Sequence, residues 1–153
     1  MKKLDFIFVG QSKDPCFGGL EKNYHTRIKR YVDSEIIFVK DSPEKNVALK
    51  IKKESEALLA KIKAGDCVVV CDEHGRALDT RAFAGNLQDW IARSQRVVFV
   101  VGGAYGMSEA LINKGQCKIK LSEMTLPHEL ARVLLLEQVY RGFSILRGEK
   151  YHH

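Results

Sequence analysis

The 153-residue chain contains no apolar run approaching the roughly 18 residues that a membrane-spanning helix needs. Its four cysteines, Cys16, Cys67, Cys71 and Cys117, include no C-x-x-C pair, and Cys71-x-x-His74 stands alone. Neither known zinc spacings nor a redox dithiol motif is matched, so no metal is expected. Cys67 and Cys71 instead flank Val68-Val69-Val70, where free cysteine behaves as a small hydrophobe. The start Met1-Lys2-Lys3-Leu4-Asp5 is basic, but Asp5 interrupts the apolar segment and no small-residue cleavage site follows. It reads as a first strand, not a signal peptide, and a cytoplasmic location is expected. The P-loop pattern G-x-x-x-x-G-K-[ST] is missing. No linker, repeat or low-complexity segment divides the chain, so residues 1–153 read as a single domain.

Hydrophobic residues make up 45% and charged residues 29%, which suits a globular domain with a real core. The formal charge of +6 fits a polyanionic partner. A solvated basic surface, including the lysine-rich stretch from Lys45 to Lys63, accounts for it equally well.

Strand and helix patterns alternate. Leu4–Val9, Glu35–Val39, Cys67–Cys71, Val97–Val101 and Lys118–Leu121 read as strands. Helices are expected from Gly19 to Val32, with Leu20, Tyr24, Ile28 and Tyr31 on one stripe, and from Ser42-Pro43 to about Lys63, with Val47, Ile51, Leu58 and Ile62 inward. A third begins at Asp79 or Thr80. A short one runs from Ser108 to Gly115, and a long one from Leu126 to about Leu146. This is an α/β pattern with a mostly parallel sheet.

In such a sheet, ligands bind beyond the carboxyl ends of the strands. Three late strand ends carry unusual loops: Cys71, Asp72 and Gly75 after the third strand, "VVGGAYG" after the fourth, and "LSEMTLPH" after the fifth. Gly102, Gly103 and Gly106 form G-G-x-x-G, not the dinucleotide fingerprint G-x-G-x-x-G that follows a first strand. Leu121, Met124 and Leu126 could sandwich a flat ring while backbone groups read its edges. Such a site suits a nucleoside without a triphosphate. A connecting loop with Leu121 and Met124 in the core satisfies the same pattern.

"VVGGAYGMSEA" followed by "LSEMTLPHELARVLLLEQVYRGFSILRGEKYHH" resembles the SPOUT, or α/β-knot, methyltransferases. More narrowly, it is similar to the small bacterial family that methylates N3 of a pseudouridine in 23S rRNA of the large ribosomal subunit. The resemblance spans the whole chain and is strongest from Val97 onward. It implies a parallel-sheet α/β-knot fold with a C-terminal trefoil knot, a feature that general folding rules would never propose. It also implies a homodimer, S-adenosylmethionine as cofactor, and the assembled ribosome as partner. Carried onto this chain, the cofactor contacts fall on Cys71, on Gly102, Gly103 and Gly106, and on Leu121, Ser122, Glu123, Met124, Thr125 and Leu126. The chain departs from the family in having Cys71 where leucine is usual. Its tail, Lys150-Tyr151-His152-His153, also lacks the usual proline and final basic residue.

Methyl transfer from a sulfonium needs positioned reactants and a cation near the carbonyls that gain charge as N3 loses its proton. Arg141, His152 and Tyr151 are the candidate catalytic residues. Arg132 and Glu137 lie on the same last helix, where Arg132 reads as structural and Glu137–Arg141 also suits a plain i,i+4 ion pair. Leu135, Leu136, Val139, Tyr140 and Phe143 give that helix more apolar positions than one face needs, so an isologous dimer through it is expected. An RNA-binding module without catalysis and a small-molecule enzyme using a nucleotide cofactor are the competing classes. Neither accounts for the T-L-P-H loop beside the glycines.

Overall fold

The computed structural model describes residues 1–153. Five parallel strands form one sheet: β1 (Lys3–Val9), β2 (Ile36–Val39), β3 (Cys67–Ala77), β4 (Arg96–Val101) and β5 (Cys117–Lys120), in the order β2-β1-β4-β3-β5. The helices α1 (Pro15–Ile28), α2 (Val47–Leu59), α3 (Thr80–Arg93), α4 (Glu109–Lys114) and α5 (His128–Leu146) join them. Alternating side chains of the buried strands feed two cores. Leu4, Phe6, Phe8, Phe99 and Val101 face α1, α3 and α5, while Ile7, Val9, Val98 and Val100 face α2 and α4. At the amino end of the sheet, Arg96 bridges the buried carboxylates of Asp5 (2.8 Å) and Asp66 (2.7 Å).

Several expected boundaries move. The first helix begins at Pro15, because Asp14 accepts the Cys16 N–H at 2.8 Å and proline suits the first turn. Its Leu20 is exposed, while Tyr24 and Tyr31 pack on the core. Ser42-Pro43 does not start α2. Asn46 is its cap, accepting the Leu49 N–H at 3.0 Å, and Val47 is exposed. The third strand continues past Cys71 to Ala77 through an irregularity, so that Arg76 and Ala77 pair again with β5. Gly75 makes that approach possible, since a Cβ there would lie 2.6–2.8 Å from the Ile119 backbone.

The apolar surplus of α5 is used within the chain. Leu135, Leu136 and Val139 are fully buried, and Phe143 is 8% exposed, because α5 lies between α1 and α3 on the sheet. Of the five residues expected at an interface, these four are spent in the core, and Tyr140 stays half-buried.

Candidate active site

The carboxyl ends of β3, β4 and β5 converge on a cavity of about 290 Å³, near the lower bound for small-molecule sites. Cys71, Gly102, Gly103, Gly106, Leu121, Ser122, Met124, Thr125 and Leu126 all line it. Glu123 does not, since its exposed carboxylate turns to Lys120 at 2.8 Å.

Local chemistry shapes each wall. Gly106 has φ +92°, which side chains rarely adopt, and its N–H donates to the Gly103 carbonyl at 3.1 Å to close the turn. Ser108 then caps α4 by accepting the Leu111 N–H at 3.3 Å. The Ser122 hydroxyl accepts the Met124 N–H at 2.9 Å, a serine turn that leaves Met124 79% exposed at the rim. Burial pushes the Cys71 thiol up to about 12, so it stays a neutral apolar wall in place of the family's leucine.

Tyr105 and His128 lie inside the quoted strand-end loops but are not among the expected cofactor contacts, and Glu73, Met107 and Ala131 line the cavity just beyond the named residues. Nothing in local pattern shows that the first turn of α5 folds back to the strand ends. Burial, followed by the neighbouring Arg132, holds His128 below the usual histidine value and favours its neutral form. Arg132 itself is fully buried and structural, its Nη1 donating to the Gly10 carbonyl at 2.8 Å and its Nη2 to that of Val9.

The candidate catalytic residues form a second cluster. Arg141 Nε donates to Glu137 Oε1 at 2.8 Å, and Tyr151 Oη donates to the same oxygen at 3.2 Å. The Arg141 guanidinium lies 4.6 Å from the Tyr151 ring centroid, and its Nη1 is 3.2 Å from His152 Nδ1. The Glu137 hydrogen bond raises Arg141 further, and burial pushes Tyr151 up to about 12, so both keep their protons. None of the three lines the cavity. Helix α5 meets the cavity at His128 and Ala131, and Arg141 lies ten residues beyond Ala131, about 15 Å along the axis.

No group of three or more His, Cys, Asp or Glu side chains is arranged to hold a metal, and no helix is long and apolar enough to cross a membrane. The chain is 39% identical to ribosomal RNA large subunit methyltransferase H of Maridesulfovibrio salexigens over 155 residues, covering 100% of this chain and 99% of the relative. It is 40% identical to the protein of the same name from Solidesulfovibrio magneticus over 154 residues, covering 100% of both. Among solved structures, the SpoU methyltransferase AviRb of Streptomyces viridochromogenes, in complex with AdoMet, superposes with a TM-score of 0.50 at 16% identity. That match covers 97% of this chain, which spans 60% of the neighbour, and it bears on the fold. The family described as "Predicted SPOUT methyltransferase" matches residues 2–152, and the chain belongs to the SPOUT methyltransferases.

Proposed function

We propose that the protein transfers a methyl group from S-adenosylmethionine to N3 of a pseudouridine in large-subunit ribosomal RNA, acting as a homodimer on the assembled ribosome in the cytoplasm. The observation that carries this reading is the cavity, where the glycine turn and the LSEMTL loop meet at three strand ends. The lining fits the cofactor chemically. Leu121, Leu126, Met107 and Val101 offer apolar walls for an adenine, with the chain of the 121–126 loop at its edges. Asp72 and Glu73 supply carboxylates for a cationic ligand. There is no cluster of lysines such as a triphosphate would want. The names of the methyltransferase H relatives support ribosomal RNA as substrate. The knotted C-terminal region that the family resemblance implies is part of the same reading.

When bound, S-adenosylmethionine supplies a methyl already activated on a sulfonium. The chain's residues orient the acceptor and stabilise the charge it gains as N3 loses its proton. Arg141, kept cationic by Glu137, would supply the positive charge that the carbonyl oxygens need. His152 accepts at Nδ1 from Arg141, which leaves its proton on Nε2 as a second donor to the base. Glu137 is not the proton acceptor, since Arg141, Tyr151 and Gln138 already donate to its two oxygens.

Cavity and tail cluster lie apart within one chain, so a complete site needs the tail of a second subunit. Calorimetry tests the reading. One site per chain is expected for S-adenosylmethionine and for its demethylated product, with none for ATP or NAD. Saturable ATP or NAD binding without the other two would refute it.

A further inference from the structure

Gly103 lacks a side chain for a reason that lies inside the protein. Its φ is not positive, so its backbone conformation is open to other residues. Space is what forbids them: a Cβ there would stand 2.6 Å from Glu54 Oε1 and 3.5 Å from Val9 Cγ1. Neither neighbour lines the cavity. Glu54, on α2, is 2% exposed and anchored, its Oε2 accepting the Ser42 N–H at 3.0 Å and facing Lys50 Nζ at 3.1 Å. Burial pushes this carboxyl up, while its hydrogen bond to Asp41 and the nearby Lys50 hold Asp41 down. The next residue, Ser55, is 1% exposed, and its hydroxyl accepts the Ser108 N–H at 2.8 Å. One turn of α2 thus meets the glycine segment at both ends, at Gly103 and at Ser108.

We propose that Glu54 and Ser55 are positioning residues for the glycine turn, so that α2 fixes one wall of the cofactor cavity from behind without touching the ligand. The proposal rests on the cavity being the cofactor site. Glu54 fills the volume that a side chain at residue 103 would need, and Ser55 satisfies the part-buried Ser108 amide.

Hydrogen exchange on the ligand-free protein gives a readout independent of the cofactor. Ser55→Ala should speed exchange of the Ser108 amide about tenfold or more. Calorimetry at a temperature where every variant is folded gives the second readout. Gly103→Ala should weaken S-adenosylmethionine binding about tenfold, as a displaced wall would. Adding Glu54→Ala should restore most of that affinity by vacating the Cβ position. Adding Glu54→Gln should not, because its bulk is the same, and alone it should leave affinity within about twofold. Parent affinity in Gly103→Ala, or a double variant no tighter than the single, would overturn the proposal. If Glu54→Ala fails to fold, Glu54→Asp takes its place, and unchanged Ser108 exchange in Ser55→Ala refutes the proposal by itself. A parent protein that binds no S-adenosylmethionine removes the cofactor reading instead. Ser108 exchange and the melting-point rescue of Gly103→Ala by Glu54→Ala would still decide whether α2 sets the turn.

Discussion

Arg141 holds His152 by its Nδ1 atom at 3.2 Å, joining the last helix to the last residues of the chain. The tail is thereby ordered on its own α5: Tyr151 packs edge-on against Tyr140 at 4.6 Å between ring centroids and donates to Glu137. The Arg141 that holds this tail lies ten residues, about 15 Å along the helix, beyond the cavity-lining Ala131.

Deleting residues 151–153 should separate binding from catalysis. Affinity for S-adenosylmethionine should stay within about twofold, because no tail residue lines the cavity. Methyl transfer to ribosomes from a methylase-deficient strain should fall roughly hundredfold or more, the usual loss when a positioned polar group is removed from a transition state. His152→Ala should reproduce most of the loss and His153→Ala little. Arg141→Lys should also fail, since one ammonium cannot hold Glu137 and His152 together. Weakened cofactor binding on truncation would place the tail in the pocket instead.

Arg132 carries a stability prediction. It is fully buried, lies 5.1 Å from the Phe8 ring centroid, and faces the buried Glu21 at 4.0 Å. Arg132→Met would strand Glu21 and the carbonyls of Val9 and Gly10. A cost of about 3 kcal/mol is expected in urea unfolding, at the lower end for a broken buried pair because Nε already lacks a partner. Glu21→Gln added to Arg132→Met should recover part of it. A change below about 1 kcal/mol in the single variant would show that the guanidinium contributes little beyond its packing.

The α/β alternation was legible because buried parallel strands are short apolar runs separated by helix caps such as Asp79 and Ser108. Ser42-Pro43 misled because Ser42 serves tertiary structure: its N–H donates to Glu54, and the cap passes to Asn46. The polar stretch Asp72–Arg76 resembles a loop, yet it carries β3 on to β5 because Gly75 lets the two backbones close up. The three strand-end loops followed from topology rules, so most of the cavity could be read. That the tail cluster and cavity stand apart on one chain is a distance set by α5, which local pattern does not encode.

Acid should weaken the fold through His25. Burial, followed by Lys29, holds its imidazole below the ordinary value of 6.5, where it meets Ser34 Oγ at 3.1 Å and Phe6 edge-on. The folded pKa lies below the unfolded one, so the unfolded chain binds more protons as pH falls through 6.5. The contribution is present above that value and is lost as pH drops toward the folded pKa. His128 acts with the same sign. The melting temperature should fall between about pH 7.5 and about pH 5, and His25→Gln should flatten the slope. An unchanged slope in the variant would assign the acid sensitivity elsewhere.

A site completed by the tail of a second subunit, as proposed, has a quantitative consequence for mixed dimers. A tail deletion inactivates whichever cavity its own tail would have completed and leaves its own cavity intact. Ala104→Trp, at an exposed lining position of the glycine turn, blocks a cavity and leaves a working tail. Both homodimers should be inactive. Because an isologous dimer has two equivalent sites, random exchange makes half of the dimers mixed, each with one intact cavity beneath one intact tail. Activity should therefore return to about a quarter of the parent value at equal total protein. Native mass spectrometry would confirm the mixed dimers, and sedimentation equilibrium of the parent should show a dimer at micromolar concentration. Apart from the core positions of α5 already spoken for, Leu130, Leu146, Tyr105 and Met124 remain exposed to serve such an interface. Mixed dimers that form yet stay inactive would mean that each subunit completes its own site, which requires the tail to leave Glu137 and travel the length of α5. A parent that sediments as a monomer would remove the second subunit from the mechanism altogether.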